Sequence, residues 1–306
     1  MDNNTTLAPI CLFVYSRLSE TKQTVESLQK NTHASESHLF IFSDGAKSDR
    51  TTDDVNAVRR YIHTIGGFAS VTIYESDANK GLANSIISGV TQIVNRFGRV
   101  IVLEDDLILS GNFLCFMNEA LDFYENKKRV LNVSGYSFAL KYPADYKYDV
   151  AFSLRFASWG WAIWKDRWEQ IDWELKDYKS FRWNVFKLLK FSHGGSDLCQ
   201  MLNRQMNGKI DSWAIRFDYH HYKYDYLDVF PVTSKVQYNG FNTEATHTVK
   251  KCDTYDTLLD SSDQSVFSFA EDIRMDVSIR KQFYNHYSLL SRLRDKISQL
   301  TWKRNN

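Results

Sequence analysis

The chain has no run of apolar residues approaching the roughly 18 that a membrane-spanning helix needs. It has no C-x-x-C pair: its four cysteines, Cys11, Cys115, Cys199 and Cys252, are scattered. At 306 residues it can bury a large core without covalent staples, so reduced thiols in a cytosol are expected rather than disulfides. Residues 1–9 are short and polar and lack a signal-peptide pattern, so the sequons at Asn3, Asn4 and Asn132 carry little weight. An excess of either charge is missing too. A net charge of +1 argues against a general nucleic-acid-binding surface. No G-x-G-x-x-G follows the first apolar segment and no G-x-x-x-x-G-K-[ST] occurs anywhere, which weakens a dinucleotide dehydrogenase or a P-loop enzyme. Internal repeats and low-complexity linkers are also lacking.

What is present begins with an alternation of apolar strands and amphipathic helices over the first 140 residues. Residues 10–15, 39–43, 71–75, 100–103 and 130–133 read as strands. Residues 19–30, 52–65, 82–97 and 112–126 read as helices, with Ser19 a candidate N-cap and Gly66-Gly67 and Gly98 as stops. This rhythm predicts an α/β fold with a mostly parallel sheet covered on both faces. After about residue 140 it gives way to aromatic, irregular segments and a helix near 196–207. We expect a nucleotide-binding α/β half (1–140), an acceptor-side half of the same domain (141–255) and a helical tail (256–306). Aromatics make up 15% of the chain; they serve as core fillers or as surfaces that stack on sugars.

The most informative stretch is Val100-Ile101-Val102-Leu103-Glu104-Asp105-Asp106. An apolar strand runs straight into three carboxylates. Such acids repel one another and are costly to keep together without a cation. In an α/β sheet this strand end is where ligands bind. A hard divalent cation takes oxygen ligands and completes its shell with substrate phosphates. The stretch therefore reads as a metal–diphosphate site, against the plainer reading of a solvated acidic turn. Strand alternation would turn Glu104 and Asp106 one way and Asp105 the other.

Other motifs stand in order around it: Tyr15-Ser16-Arg17, Ser43-Asp44-Gly45, Asn79-Lys80-Gly81-Leu82, Ser158-Trp159-Gly160-Trp161, Asp211-Ser212-Trp213, Ser234-Lys235-Val236, Asn239-Gly240-Phe241 and Thr246-His247. Over roughly residues 9–250 this series resembles the glycosyltransferases of GT-A fold. The nearest resemblance is to the N-acetylglucosaminyltransferase I group and related bacterial enzymes of surface polysaccharide synthesis. The resemblance implies a Rossmann-like sheet with an irregular, aromatic-rich acceptor side. It implies that Arg17, Asp44, Lys80 and Leu82 bind the nucleotide part of a donor, and that Glu104 and Asp105 contact its sugar and ribose. Asp106 would bind Mn²⁺ or Mg²⁺, with His247 completing the metal shell or holding phosphates. Trp159, Gly160 and Trp161 would line the donor-sugar or acceptor pocket. Asp211 falls where the family keeps its catalytic base, although Ser212 replaces a further acid of that pattern. Asp44 also suits a turn before Gly45, and Asp211 suits a helix N-cap. Trp164, Trp168 and Trp173 read as core, and His193, His220 and His221 as structural.

The implied activity is metal-dependent, inverting transfer of a hexose or N-acetylhexosamine from a UDP-sugar to a saccharide or lipid-linked hydroxyl. The residues leave room for a catalytically silent saccharide-binding protein and, more weakly, for a nucleotidyltransferase. Residues 280–306 carry seven cations and one acid, with Leu289, Leu293, Ile297 and Leu300 on one helical face. This fits a peripheral contact with an anionic membrane surface, and equally a helix docked on the protein with a solvated basic face. The expected location is the cytoplasm or the inner face of the cell membrane.

Overall fold

The computed structural model describes residues 6–239 and 257–288. His247, Cys252 and the tail beyond residue 288 lie outside the described residues. The chain opens as β1 (Ile10–Val14), α1 (Leu18–Gln29), β2 (His38–Ser43), α2 (Asp49–Ile62), β3 (Ser70–Glu75), α3 (Leu82–Phe97) and β4 (Arg99–Glu104). A short β5 (Leu107–Leu109), α4 (Phe113–Tyr124) and β6 (Val130–Ser134) follow. The later part adds β7 (Val150–Ser153), β8 (Trp161–Trp164), α5 (Lys165–Trp168), α6 (Tyr178–Phe181), α7 (Val185–Phe191), α8 (Leu198–Met206), α9 (Trp213–Lys223), β9 (Leu227–Pro231), β10 (Val236–Tyr238) and α10 (Val277–His286).

The architecture is α/β. A mixed, mostly parallel sheet runs in the order β3-β2-β1-β4-β8-β6-β9-β7. Strands β1 to β4 are mutually parallel where they pair; β8 runs antiparallel to both β4 and β6. The sheet is buried on both faces because alternate residues feed two cores. Ile10, Leu12, Ile41, Ile101 and Leu103 pack with α1, α2 and α4. Cys11, Phe13, Phe40, Val100 and Val102 pack with α3 and α9. Gly89 lets α3 approach closely: a Cβ there would lie 2.9 Å from the Phe13 ring.

Two local expectations change. Helix α1 starts at Leu18, so Ser19 lies inside its first turn and Arg17 occupies the cap position with no capping side chain. The Arg17 guanidinium is instead held by acids across the sheet. Helix α2 begins and ends three residues earlier than the glycine pair implied, because Ser48 and Thr51 close a capping box at its start. The aromatic later part is less separate than its composition suggests, since β7, β8 and β9 extend the same sheet. No helix of the described residues is long and apolar enough to cross a membrane.

The order β2-β1-β4 makes a switch point. From β1 the chain proceeds outward to β2 and β3, then returns to place β4 on the other side. Crevices outside the carboxyl ends of such strands are where α/β sheets bind ligands.

Candidate active site

The acidic triplet stands at that switch point. β4 ends at Glu104, the chain turns at Asp105-Asp106, and β5 leaves to pair with β10. Thr24 and Ser27 of α1 accept the backbone N–H groups of Leu107 and Leu109, at 3.1 and 3.2 Å, and fix the turn from below. The turn ends strand alternation, so Asp105 and Asp106 do not simply diverge. Both reach one guanidinium: Arg17 Nη2 donates to Asp105 Oδ1 at 2.5 Å and Nη1 lies 3.0 Å from Asp106 Oδ2.

One cation faces three acids, and burial raises the cost. Burial, reinforced by Asp106 and Asp105, pushes the Glu104 carboxyl up to about 8. Burial also lifts Asp105 to about 6 against the pull of Arg17. Asp106 is raised by burial, again opposed by Arg17. Burial disfavours the Arg17 cation, but Asp105 and Asp106 outweigh that and hold its pKa above the ordinary value.

Two cavities meet at this cluster, sharing Leu82 and Glu104 in their walls. One, of about 470 Å³, lies over the ends of β1, β2 and β4 and is lined by Tyr15, Arg17, Asp44, Lys47, Asn79 and Asp105, among others. The other, of about 540 Å³, reaches from Asp106 across Tyr136, Trp159 and Tyr238 to Asp211 and Trp213. Both volumes fall in the range typical of small-molecule sites. Trp159 stacks on Tyr238 with ring centroids 5.3 Å apart, and Tyr136 meets Trp159 edge-on at 4.6 Å. These rings give the second cavity apolar faces suited to sugar C–H surfaces.

The structure therefore brings Arg17, Asp44, Leu82, Glu104, Asp105, Asp106, Trp159 and Asp211 to one continuous cleft. Asp44 is heavily committed within it. Its carboxylate accepts from the backbone N–H of Gly45, Lys80 and Gly81, all within 3.1 Å, and from Asn79 Nδ2 at 3.1 Å. That leaves little capacity for a ligand N–H; its visible work is to hold the residue 79–81 loop beside the cavity. Lys80 contributes its backbone to this anchor. Gly160 has φ +61°, and a Cβ there would lie 2.8 Å from Val236, so glycine permits close packing behind the aromatic wall. Trp161 is wholly buried, stacked between Trp168 and Trp213 at 5.8 and 5.1 Å, and does not line either cavity. Trp164 and Trp168 are core residues.

Asp211 does not cap α9. Ser212 takes that position and its Oγ accepts the Ile215 N–H. Asp211 instead accepts from Arg216 Nη2 at 3.1 Å and stays open to the cavity. Sequence reasoning missed a second carboxylate here. Asp218, on α9, lines the same cavity, accepts the Phe156 N–H at 2.8 Å, and is lifted by burial to about 7 against the pull of Arg155. Its setting inside an aromatic helix gave no sequence signal beyond its spacing from Asp211. Arg155 was missed as well; it lines the cavity and grips Asp197 with two bonds of 2.9 Å. His220 and His221 are buried, and burial depresses them to about 4 and 3.

Among the described residues no group of three or more His, Cys, Asp or Glu side chains forms a metal cage. The donor chemistry still fits a hard cation: Asp106 and its neighbours offer carboxylate oxygens, opposed by one guanidinium.

No family model and no curated protein matches the chain. Parts of it are similar to solved structures. One is a mannosyltransferase, PcManGT from Pyrobaculum calidifontis, in complex with GDP-Man and Mn²⁺: 15% identity, 53% of this chain and 46% of that one, TM-score 0.37. Another is S. aureus TarS, residues 1–349: 12% identity, 56% of this chain and 49% of that one, TM-score 0.34. A longer TarS structure matches at 14% identity over 49% of this chain and 26% of that one, TM-score 0.32. The chain thus spans about half or less of the length of these structures.

Proposed function

We propose that the protein is a glycosyltransferase of GT-A type that uses a nucleoside diphosphate sugar. One observation carries this reading: two cavities joined at an acidic strand end, one nucleotide-sized and one walled by aromatic rings. A base and ribose fit the cavity beside Arg17, Lys47 and the Asp44-anchored loop. The diphosphate then falls at the junction, beside Asp106. The donor sugar and acceptor occupy the aromatic cavity against Trp159 and Tyr238.

Asp106 is the residue we assign to a Mn²⁺ or Mg²⁺ ion; its carboxylate would hold the cation, which would take further oxygen ligands from the donor. Bound there, the cation would stabilise the negative charge that grows on a departing diphosphate. Arg17 would hold Asp105 and Asp106 in place. Asp211, steadied by Arg216, would take the proton from the acceptor hydroxyl as the sugar carbon is attacked from the face opposite the leaving group. Asp218 is the competing base. UDP as the nucleotide, and a saccharide or lipid-linked acceptor at a membrane face, belong to this reading through the sequence resemblance.

A panel of nucleotide sugars, screened for divalent-cation-dependent hydrolysis without acceptor, tests the donor half. Release of nucleoside diphosphate from at least one donor is expected; none from any donor would overturn the reading. Asp211→Asn and Asp218→Asn separate the bases. Loss of about 10²-fold or more in turnover is expected for the first, with a much smaller loss for the second. The reverse order moves the proton to Asp218. A second reading, a saccharide-binding protein without turnover, is favoured by the Arg216 contact that occupies Asp211 and by Ser212 beside it. It predicts glycan binding with no donor hydrolysis.

A further inference from the structure

The strongest feature outside the cleft is a patch on α7. Asn184 caps this helix by accepting the Lys187 N–H, and Phe191 turns inward against Phe181 and Tyr219. The other face is left to solvent. Trp183 is 77% exposed, Val185 64%, Phe186 84% and Leu189 59%. Four large apolar side chains within seven residues are costly to leave in water. Val185, Phe186 and Leu189 share one side of the helix, with Lys190 and Lys187 next around it.

The charge beside this face is mainly positive, with Asp225 as an acid against it. Residues 178–191 carry Lys179, Arg182, Lys187 and Lys190 and no carboxylate. Lys190 pairs with Asp225, and the Arg182 guanidinium lies over the Trp183 ring at 4.7 Å. The patch continues across a cleft lined by Leu189 and by Tyr284 of α10, whose ring is also exposed. Arg280 and Lys281 are exposed one turn before Tyr284. Elements about 100 residues apart thus present apolar side chains and cations on adjoining surfaces.

We propose that the α7–α10 face docks on an anionic lipid surface, with Trp183, Phe186 and Leu189 entering the headgroup layer and the flanking cations meeting lipid phosphates. An interfacial helix with rings on one side and Lys/Arg beside them binds lipid in this manner. A second copy of the chain is disfavoured as occupant, because symmetric pairing would set these cations against each other. The proposal needs no assumption about catalysis. α7 packs on α8 and α9, which supply Met201, Trp213 and Ile215 to the aromatic cavity, so the docked face and that cavity belong to one helical layer.

The test is co-sedimentation of the full chain with vesicles of phosphatidylglycerol and phosphatidylcholine, against phosphatidylcholine alone. Binding to the anionic vesicles, weakened by salt, is expected. The double substitution Phe186→Glu/Leu189→Glu should lower partitioning by about tenfold or more, since it removes apolar insertion and adds repulsion. Its far-UV spectrum and melting should match the parent, because both side chains are exposed. Lys179→Glu/Lys187→Glu serves as a second variant and should erase the preference for anionic vesicles. Undiminished binding by both variants would overturn the proposal and point to residues beyond 288. Absence of wild-type binding would overturn it as well. So would a concentration-dependent dimer lost in the first variant without vesicle binding.

Discussion

Two acidic sites on the same sheet are served differently: one carboxylate within β9, and three at the end of β4 and in the turn that follows it. Asp228 of β9 is wholly buried, and its carboxylate accepts Asn132 Nδ2 at 2.6 Å and Ser134 Oγ at 3.1 Å, both from the neighbouring β6. Burial raises its pKa well above the ordinary value, and neutral donors within the sheet surround it. Asp105 and Asp106 share one guanidinium, Glu104 feels it only at longer range, and all three open into the two cavities. The first group is closed: its donors are supplied by the fold, and no ligand can reach it. The second keeps acceptor capacity facing a cleft. A buried acid is a poor guide to a site by itself; an acid undersupplied with donors and accessible to a cavity is a better one.

Removing the reactive end of that contrast should have the largest effect. Asp106→Ala is expected to lower donor turnover by about 10²–10³-fold, the scale of a lost transition-state charge contact. Calorimetry with UDP and Mn²⁺ should show the metal-dependent heat disappear. Binding undiminished by the substitution would remove Asp106 from the metal assignment. The fold should survive, because Asp105 keeps its bond to Arg17.

The closed group should answer in stability instead. Asp228→Ala leaves Asn132 Nδ2 without its acceptor in the centre of the sheet and Ser134 Oγ with only the Ala157 carbonyl, at a cost of about 1–3 kcal/mol. The urea midpoint should fall with an unchanged slope, while the folded fraction binds nucleotide as before. A loss of nucleotide affinity with no loss of stability would break the distinction between the two groups.

Much of this contrast was legible in the sequence on one side only. Strands β1, β2 and β4 could be read because strands buried on both faces appear as apolar runs, the edge strand β3 because of its β-branched and aromatic residues Val71, Thr72, Ile73 and Tyr74, and helices α1 to α3 because they carry the longer period. The acidic triplet showed because charge directly after such a run has no packing reason. Its partner could not be read locally: Arg17 meets Asp105 across 88 residues of chain. The same holds for Asp44, whose donors come from 35 to 37 residues downstream apart from its own neighbour. Trp159 and Trp161 stand in one motif, yet the first faces the cavity and the second is sealed within β8. Composition cannot separate them, because the turn at Gly160 decides which way each ring points.

A smaller effect distinguishes acids held neutral from histidines held neutral. Glu104 at about 8, Asp218 at about 7 and Asp105 at about 6 lie above the ordinary carboxylate value, each through burial first. The folded chain binds these protons more tightly than the unfolded chain does. Their stabilising contribution is complete below about pH 4 and is lost as pH rises through 6 to 8. His220 at about 4 and His221 at about 3 act oppositely, because the folded chain resists their protonation. The histidine contribution should therefore decline below about pH 6.5 as the unfolded chain gains those protons. Melting temperatures from pH 4.5 to 9 should fall toward alkaline pH, gently below about pH 6.5, where the histidines offset most of the acid term, and further above it. Glu104→Gln should flatten the alkaline limb by about 2 °C or more, since each kcal/mol moves a domain of this size by that order. An alkaline limb unaltered in that variant would mean that the folded chain holds no extra proton at Glu104, and the triplet would then be as well supplied with donors as Asp228.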